Sequence, residues 1–242
     1  MRIISRLDIK NEFVVKGICF EGLRKIGDPE VFCKKYYDQM SDELLISDVV
    51  ASLYGRNNLF SLIKKITEKI FIPVCLSGGI RNLKDIQLSL DSGADKVAIN
   101  TAIVKNINFL KSAIKNFGIS NIVASIEAKK ISDKFWEVYI YNGREKTGIN
   151  VVDWINKIKD IGCGEILITS VDRDGTNSGF DKSLVESIAN LDLPMPIIIS
   201  GGFGNLQDIK EVKKNLHEND ALAVGTQLHY NKYKVKQLKK YI

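Results

Sequence analysis

The sequence predicts a (βα)8 TIM barrel, an α/β fold built here from two duplicated half-barrels. Three observations lead there. Short apolar, β-branched runs alternate along the chain with segments of helical period, eight of each. The runs are apolar on nearly every residue rather than on every second one, as in parallel strands covered on both faces. The decapeptide SGGIRNLKDI at Ser77 returns as SGGFGNLQDI at Ser200, 123 positions later in a chain of 242 residues.

The expected strands, in order, are 3–8 (IISRLD), 43–50 (ELLISDVV), 72–77 (IPVCLS), 95–100 (DKVAIN), 121–127 (NIVASIE), 165–171 (EILITSV), 196–200 (PIIIS) and 220–225 (DALAVG). Helices are expected near 30–39, 57–69, 82–92, 107–116, 151–161, 181–190, 205–216 and 230–240. Asn82 and Asn205 are good N-caps, each followed by apolar residues on one helix face: Leu83, Ile86 and Leu90, then Leu206, Ile209 and Leu216. DKFWEVYIYNGREKTG, residues 133–148, alternates like a hairpin and should decorate the mouth after strand five. The stretch after strand one reads as a long loop able to close over the site.

The repeat extends beyond the glycines. Glu43-Leu-Leu-Ile returns as Glu165-Ile-Leu-Ile, 122 positions on, and Asp8 at the end of strand one corresponds to Glu127 at the end of strand five, 119 on. Three landmarks in order at nearly one spacing imply two halves, about 1–118 and 119–242, within one barrel domain spanning 1–242.

Composition narrows the class. With 45% hydrophobic residues and no Pro/Gly/Ser-rich linker, one large core is affordable. No apolar run approaches the roughly 20 residues of a membrane span, and the opening MRIISRLDIK has no apolar signal core. A cytoplasmic protein without membrane association is expected. Four cysteines (Cys19, Cys33, Cys75, Cys163) lack metal spacing and there are only two histidines, so neither a metal nor a cofactor is called for. The net charge of +6 fits solvated lysine-rich helix faces and a phosphorylated substrate. Without a basic stripe interleaved with aromatics, nucleic acid is not an expected partner.

In such barrels the active site lies at the C-terminal ends of the strands. Gly78 and Gly79 after strand three, and Ser200, Gly201 and Gly202 after strand seven, can bring backbone N–H groups close to an anion. Asn100 and Thr101 after strand four, and Gly225 and Thr226 after strand eight, stand beside them. Asp174, Gly175 and Thr176, from DRDGTNSG after strand six, face the second cradle, and Lys16 can reach phosphate from the loop after strand one. One glycine pair can mark only a tight turn. Two matched pairs with polar partners imply a substrate carrying a phosphate at each end. Strands one and five face each other in an eight-stranded barrel, so Asp8 and Glu127 would flank that substrate's middle as general acid and base. At the opposite end, Arg2, Glu43, Lys96 and Glu165 mark strand starts and can form a charged ring, either a stabilising layer or a gate.

The strings RLDIK, FVVKG, LRKIGDP, DELLISDVVAS, SGGI, GADKVAINTA, GCGEILITSVDRDGT, SGFD and ISGGFG resemble the cyclase subunit of imidazole glycerol phosphate synthase over essentially the whole chain. EILITSVDRDGT together with GADKVAINTA is the specific part, since sister barrels share the glycine pairs. The resemblance implies an enzyme of histidine biosynthesis, a lyase. Its substrate is a bis-phosphate ribulosyl-aminoimidazole carboxamide. A glutaminase subunit docked at the barrel bottom delivers ammonia along the barrel axis. Carried over by motif, Asp8 matches the first catalytic aspartate, and Arg2, Glu43, Lys96 and Glu165 match the ammonia gate.

Two departures stand beside the chemistry. Glu127 replaces the family's second catalytic Asp, which moves a proton donor by about an ångström. Arg6 stands where the family usually has Cys, and a guanidinium there would depress the Asp8 pKa. These leave a second reading open: a paralogue that uses glutaminase-derived ammonia to form an acetamidino sugar for surface polysaccharide. A non-catalytic activator of a glutaminase and a sister isomerase are weaker alternatives.

Overall fold

A computed structural model of the protein describes residues 1–51 and 59–242. Eight parallel strands close into a barrel: β1 (Arg2–Lys10), β4 (Glu43–Asp48), β5 (Val74–Ser77), β6 (Lys96–Ile99), β7 (Ile122–Ser132), β10 (Glu165–Ser170), β11 (Ile197–Ser200) and β12 (Ala221–Val224). The pairing β7–β10 and the pairing β12–β1 complete the circle. Every expected strand is present, with ends shifted by a few residues at most outside β7.

The alternating side chains divide the core in two. Ile3, Leu7, Leu44, Ile46, Val97, Ile99, Ile166 and Ile168 point outward under the helices. Ile4, Leu45, Cys75, Ala98, Val123, Leu167, Ile198, Ala221 and Ala223 fill the barrel interior. This accounts for the apolar character of both faces of each strand.

Ten helices are described: α1 (Pro29–Asp38), α2 (Phe60–Thr67), α3 (Leu83–Asp91), α4 (Thr101–Lys105), α5 (Ile107–Phe117), α6 (Val151–Ile161), α7 (Lys182–Ala189), α8 (Leu206–Lys213), α9 (Thr226–His229) and α10 (Val235–Leu238). Polar caps fix where they begin. Asn82 accepts from the Asp85 N–H at 3.0 Å, and Asn205 forms a capping box with Asp208. Asp28 caps α1, with Pro29 in its first turn. Of the helix expected at 57–69, residues 57 and 58 lie outside the described residues. The helix expected at 230–240 is the single turn α10, preceded by the turn α9.

The loop expected after strand one is a β-hairpin, β2 (Phe13–Ile18) with β3 (Glu21–Gly27), paired antiparallel to the end of β1. The expected hairpin after strand five is β8 (Phe135–Ile140) with β9 (Glu145–Asn150), paired to the end of β7. The two are equivalent in position. Asp8 pairs with Val15 and Glu127 with Tyr139, so each acid sits where a barrel strand passes into its hairpin rather than at a strand end. That is why β1 and β7 outrun the expected 3–8 and 121–127.

Candidate active site

Inward-facing residues form three levels along the barrel axis. At the N-terminal end, Arg2 donates to Glu43 at 3.1 Å and also to Glu165. Lys96 Nζ donates to Glu43 Oε2 at 2.8 Å and to Glu165 Oε2 at 2.7 Å. Two cations and two anions therefore close a ring. Burial pushes the Glu43 pKa up against the opposing pull of Lys96, and Glu43 Oε1 is buried without a hydrogen-bond partner among the described residues. The middle level is the apolar interior already named. Met40, Phe71 and Ile119, in connections that lead into strands at this N-terminal end, are exposed.

The upper level is polar. Arg6, one strand position below Asp8 on the same face of β1, stretches across it. Its Nε donates to Asp8 Oδ1 at 2.9 Å, and its Nη1 donates to Thr169 Oγ1 at 3.2 Å and Ser200 Oγ at 3.0 Å. Lys16 reaches in from β2 and donates to Asp8 Oδ2 at 3.0 Å and Asp174 Oδ2 at 2.6 Å. Asp8 is buried, yet the adjacent Arg6 and Lys16 outweigh the desolvation and hold its carboxyl well below the usual carboxylate range. It is ionised, with both oxygens engaged.

Glu127 lies in the opposite environment. It faces the mouth from β7, and its Oε2 accepts the Gly143 N–H at 2.7 Å. Burial raises its pKa to about 7, against the opposing effects of Gly143, Asn100 and Arg6. Asn100 Oδ1 is buried with no donor among the described residues; a protonated Glu127 can supply one. The pair thus holds one fixed carboxylate and one carboxyl that titrates near neutrality.

The hairpin tips roof this level. Cys19 and Phe20 turn the first hairpin in left-handed conformations, with φ of 50° and 65°. The Cys19 N–H donates to Asp174 O at 2.8 Å. Phe20 stacks against Arg6, 5.5 Å from its ring centre to the guanidinium, and touches the second hairpin so closely that a Cβ on Gly143 would lie 2.9 Å from its ring. The second hairpin is held down by Asn100 Nδ2 donating to Tyr139 O at 3.0 Å and by Thr101 Oγ1 accepting from the Tyr141 N–H at 3.2 Å. Trp136 Nε1 donates to Asp181, the N-cap of α7, at 2.9 Å.

Two cavities remain under the roof. The first, about 60 Å³, is lined by Gly78, Gly79, Asn100, Thr101, Ser125 and Glu127, with Arg6 and Phe20. The second, about 20 Å³, is lined by Lys16, Asp174, Gly175, Ser200, Gly201, Gly202, Gly225 and Thr226, again with Arg6. These volumes hold a few water molecules, so the mouth is drawn closed around its own side chains. The glycines are demanded by the backbone: Gly78 and Gly202 have φ of 90° and 104°, and a Cβ would meet Asp48 O and Gly179 O respectively, each at 2.2 Å.

The predicted residues therefore gather in two groups, with exceptions. Asp8 lines neither cavity, being covered by Arg6 and Lys16. Thr176 is not among the cavity walls; its hydroxyl donates to Arg173 O at 2.8 Å and fixes the turn. Asp174 holds Lys16. Asn100 and Thr101 line the first cavity but also anchor the second hairpin. Phe20, Ser77, Ser125, Asn142, Thr169 and Asn177 also line the site and were absent from the predicted set, while Arg6, expected beside Asp8 but not as a binding residue, lines both cavities. Counting every second residue back from Glu127 and forward from Glu165 would have found Ser125 and Thr169; the hairpin residues carried no such signal.

Residues 2–234 match the family model described as histidine biosynthesis protein. The chain is 47% identical over 208 residues to imidazole glycerol phosphate synthase subunit HisF of Legionella pneumophila, covering 86% of this chain and 98% of that one. It is 39% identical over 241 residues to the subunit of the same name from Helicobacter hepaticus, covering 100% of this chain and 94% of that one.

Proposed function

The chain belongs to the histidine biosynthesis protein family, and from that premise we propose that it is the cyclase subunit of imidazole glycerol phosphate synthase. It is an enzyme that converts a bis-phosphate ribulosyl-aminoimidazole carboxamide and ammonia into imidazole glycerol phosphate and aminoimidazole carboxamide ribotide. One observation carries this reading: two glycine-walled cavities lie on either side of a mouth that holds one ionised and one titratable carboxyl. Each cavity would take one phosphate, and the bond-making centre would lie between them. Both relatives bear the synthase's name, so the acetamidino-sugar reading is not carried forward.

In the reaction, ammonia attacks the ribulosyl carbonyl, water leaves to give an imine, and ring closure expels the ribotide. At neutral pH Glu127 is partly protonated, so it can give a proton to the departing oxygen and then take one from nitrogen. Asp8, locked between Arg6 and Lys16, is suited to fixing those two cations over the substrate. Of the two carboxyls expected to act as general acid and base, proton transfer is therefore assigned to Glu127. Lys16 and the backbone around Gly201 and Gly202 serve the second phosphate, and Gly78 and Gly79 the first.

The ammonia would come from a glutaminase subunit docked as a heterodimer on the N-terminal face. The ring of Arg2, Glu43, Lys96 and Glu165 on the axis, and the exposed Met40, Phe71 and Ile119 around it, support that docking. The chain acts as a single barrel domain of two halves, about 1–118 and 119–242, in the cytoplasm. Among the described residues, no helix is long and apolar enough to cross a membrane. The purified chain, given the bis-phosphate substrate and excess ammonium salt at alkaline pH, should release both products. Substrate binding without turnover would overturn the reading.

A further inference from the structure

Small polar residues line much of the upper level, Ser47, Ser77, Asn100, Ser125 and Thr169 on the first cavity and Ser200 on the second, with Glu127 on the first and Lys16 and Asp174 on the second. Among the described residues Arg6 alone lines both. It is the wall the two cavities share, and a substrate reaching from one glycine cradle to the other must pass over it. Three of its five N–H donors are spent, on Asp8, Thr169 and Ser200. Its Nη2 has no acceptor among the described residues. A guanidinium 6% exposed, clamped at three points and covered on one face by Phe20, is pre-oriented and largely stripped of water. The Nη2 arm is left open on a residue that lines the first cavity together with Glu127.

We propose that Arg6 is a catalytic residue that holds, through Nη2, the carbonyl oxygen lying between the substrate's two anionic ends. The proposal rests on the function assigned above and names the group that receives the developing charge. As ammonia forms the C–N bond, the carbonyl π pair moves onto oxygen, and Arg6 stabilises that oxyanion. Glu127 gives its proton to the oxyanion and its carboxylate then takes one from the ammonium nitrogen, leaving a neutral carbinolamine ready to lose water. Asp8 and Lys16 act through Arg6, since their ion pairs fix the fork in place. A neutral or single-point donor at residue 6 could not keep both the clamp and the open arm.

The test compares the wild-type chain with Arg6→Ala and Arg6→Lys, using ammonium salt and the bis-phosphate substrate, with calorimetric titration of inorganic phosphate as an independent readout. In Arg6→Ala, kcat should fall about 100-fold, with phosphate affinity changed by less than about threefold. Guanidinium chloride added below denaturing concentration should restore part of the lost rate. Arg6→Lys keeps a cation beside Asp8 and should retain the wild-type melting temperature while losing most of kcat. Wild-type kcat in either variant would overturn the proposal, as would parallel losses of turnover and phosphate binding with no guanidinium rescue. A wild-type chain that binds phosphate but never turns over would instead overturn the underlying assignment of function, and Arg6 with it.

Discussion

Replacing Glu127 by Gln should flatten the dependence of stability on pH. The carboxyl is partly buried, faces the first cavity and titrates near 7 instead of its ordinary 4.5. A carboxyl whose pKa is raised by folding favours the protonated chain. Its contribution to stability is fully present below about pH 4.5 and is lost as pH rises through about 7. The displacement corresponds in full to about 3 kcal/mol. Because the group opens onto a cavity rather than lying wholly in the core, about 1–2 kcal/mol is the expected size. Gln keeps an oxygen to accept the Gly143 N–H but cannot ionise. Relative to wild type, Glu127→Gln should therefore gain about 1–2 kcal/mol between about pH 5 and pH 8. Urea unfolding at a series of pH values measures it. With m near 3 kcal/mol/M the relative midpoint moves by about 0.3–0.7 M. Stability curves for the two proteins that stay parallel across that range would refute the placement of Glu127 as the group that titrates near neutrality.

Other outcomes follow from the same contacts. Gly202→Ala forces a side chain at φ 104° against Gly179 O and should cost about 2–4 kcal/mol; melts with and without phosphate should also show weakened protection by the anion. Lys96→Met leaves Glu43 and Glu165 with Arg2 alone, and urea midpoints should fall by about 3 kcal/mol near neutral pH, less in acid, where Glu43 takes up a proton. Tyr36→Phe removes the hydroxyl paired at 2.6 Å with His229 Nδ1. It should cost about 1–2 kcal/mol in thermal unfolding and leave kcat unchanged, because neither residue lines either of the two cavities at the mouth.

The barrel was legible because its strands carry apolar residues on both faces, a pattern independent of which neighbour each strand meets. The second hairpin was legible from strict alternation through Trp136, Val138 and Ile140, all buried. The first was not. FVVKGICFEGLRKIG contains three glycines, none of them at the turn, which is made by Cys19 and Phe20, residue types that ordinarily avoid positive φ, so no turn signature marks its tip. The glycine cradles were visible through repetition, yet which neighbour forbids a Cβ, Asp48 O or Gly179 O, depends on a fold already closed. The environment of Asp8 was partly foreseen, since Arg6 stands two residues away on the same strand face. Lys16 on the other oxygen was not, because that contact needs the hairpin to fold back over β1.

The correspondence that places Asp8 opposite Glu127 also places Arg6 opposite Ser125, and there the two halves part company. A mouth of perfect two-fold character would receive a molecule phosphorylated at both ends in either direction, and half of those encounters would bring the wrong carbon to the acid. One side chain that is a long cation in one half and a short hydroxyl in the other gives the cleft a head and a tail. The orientation of a molecule held at both ends would then follow from unequal ends of its host, Arg6 against Ser125 at the centre and Lys16 with Asp174 on the second cavity alone.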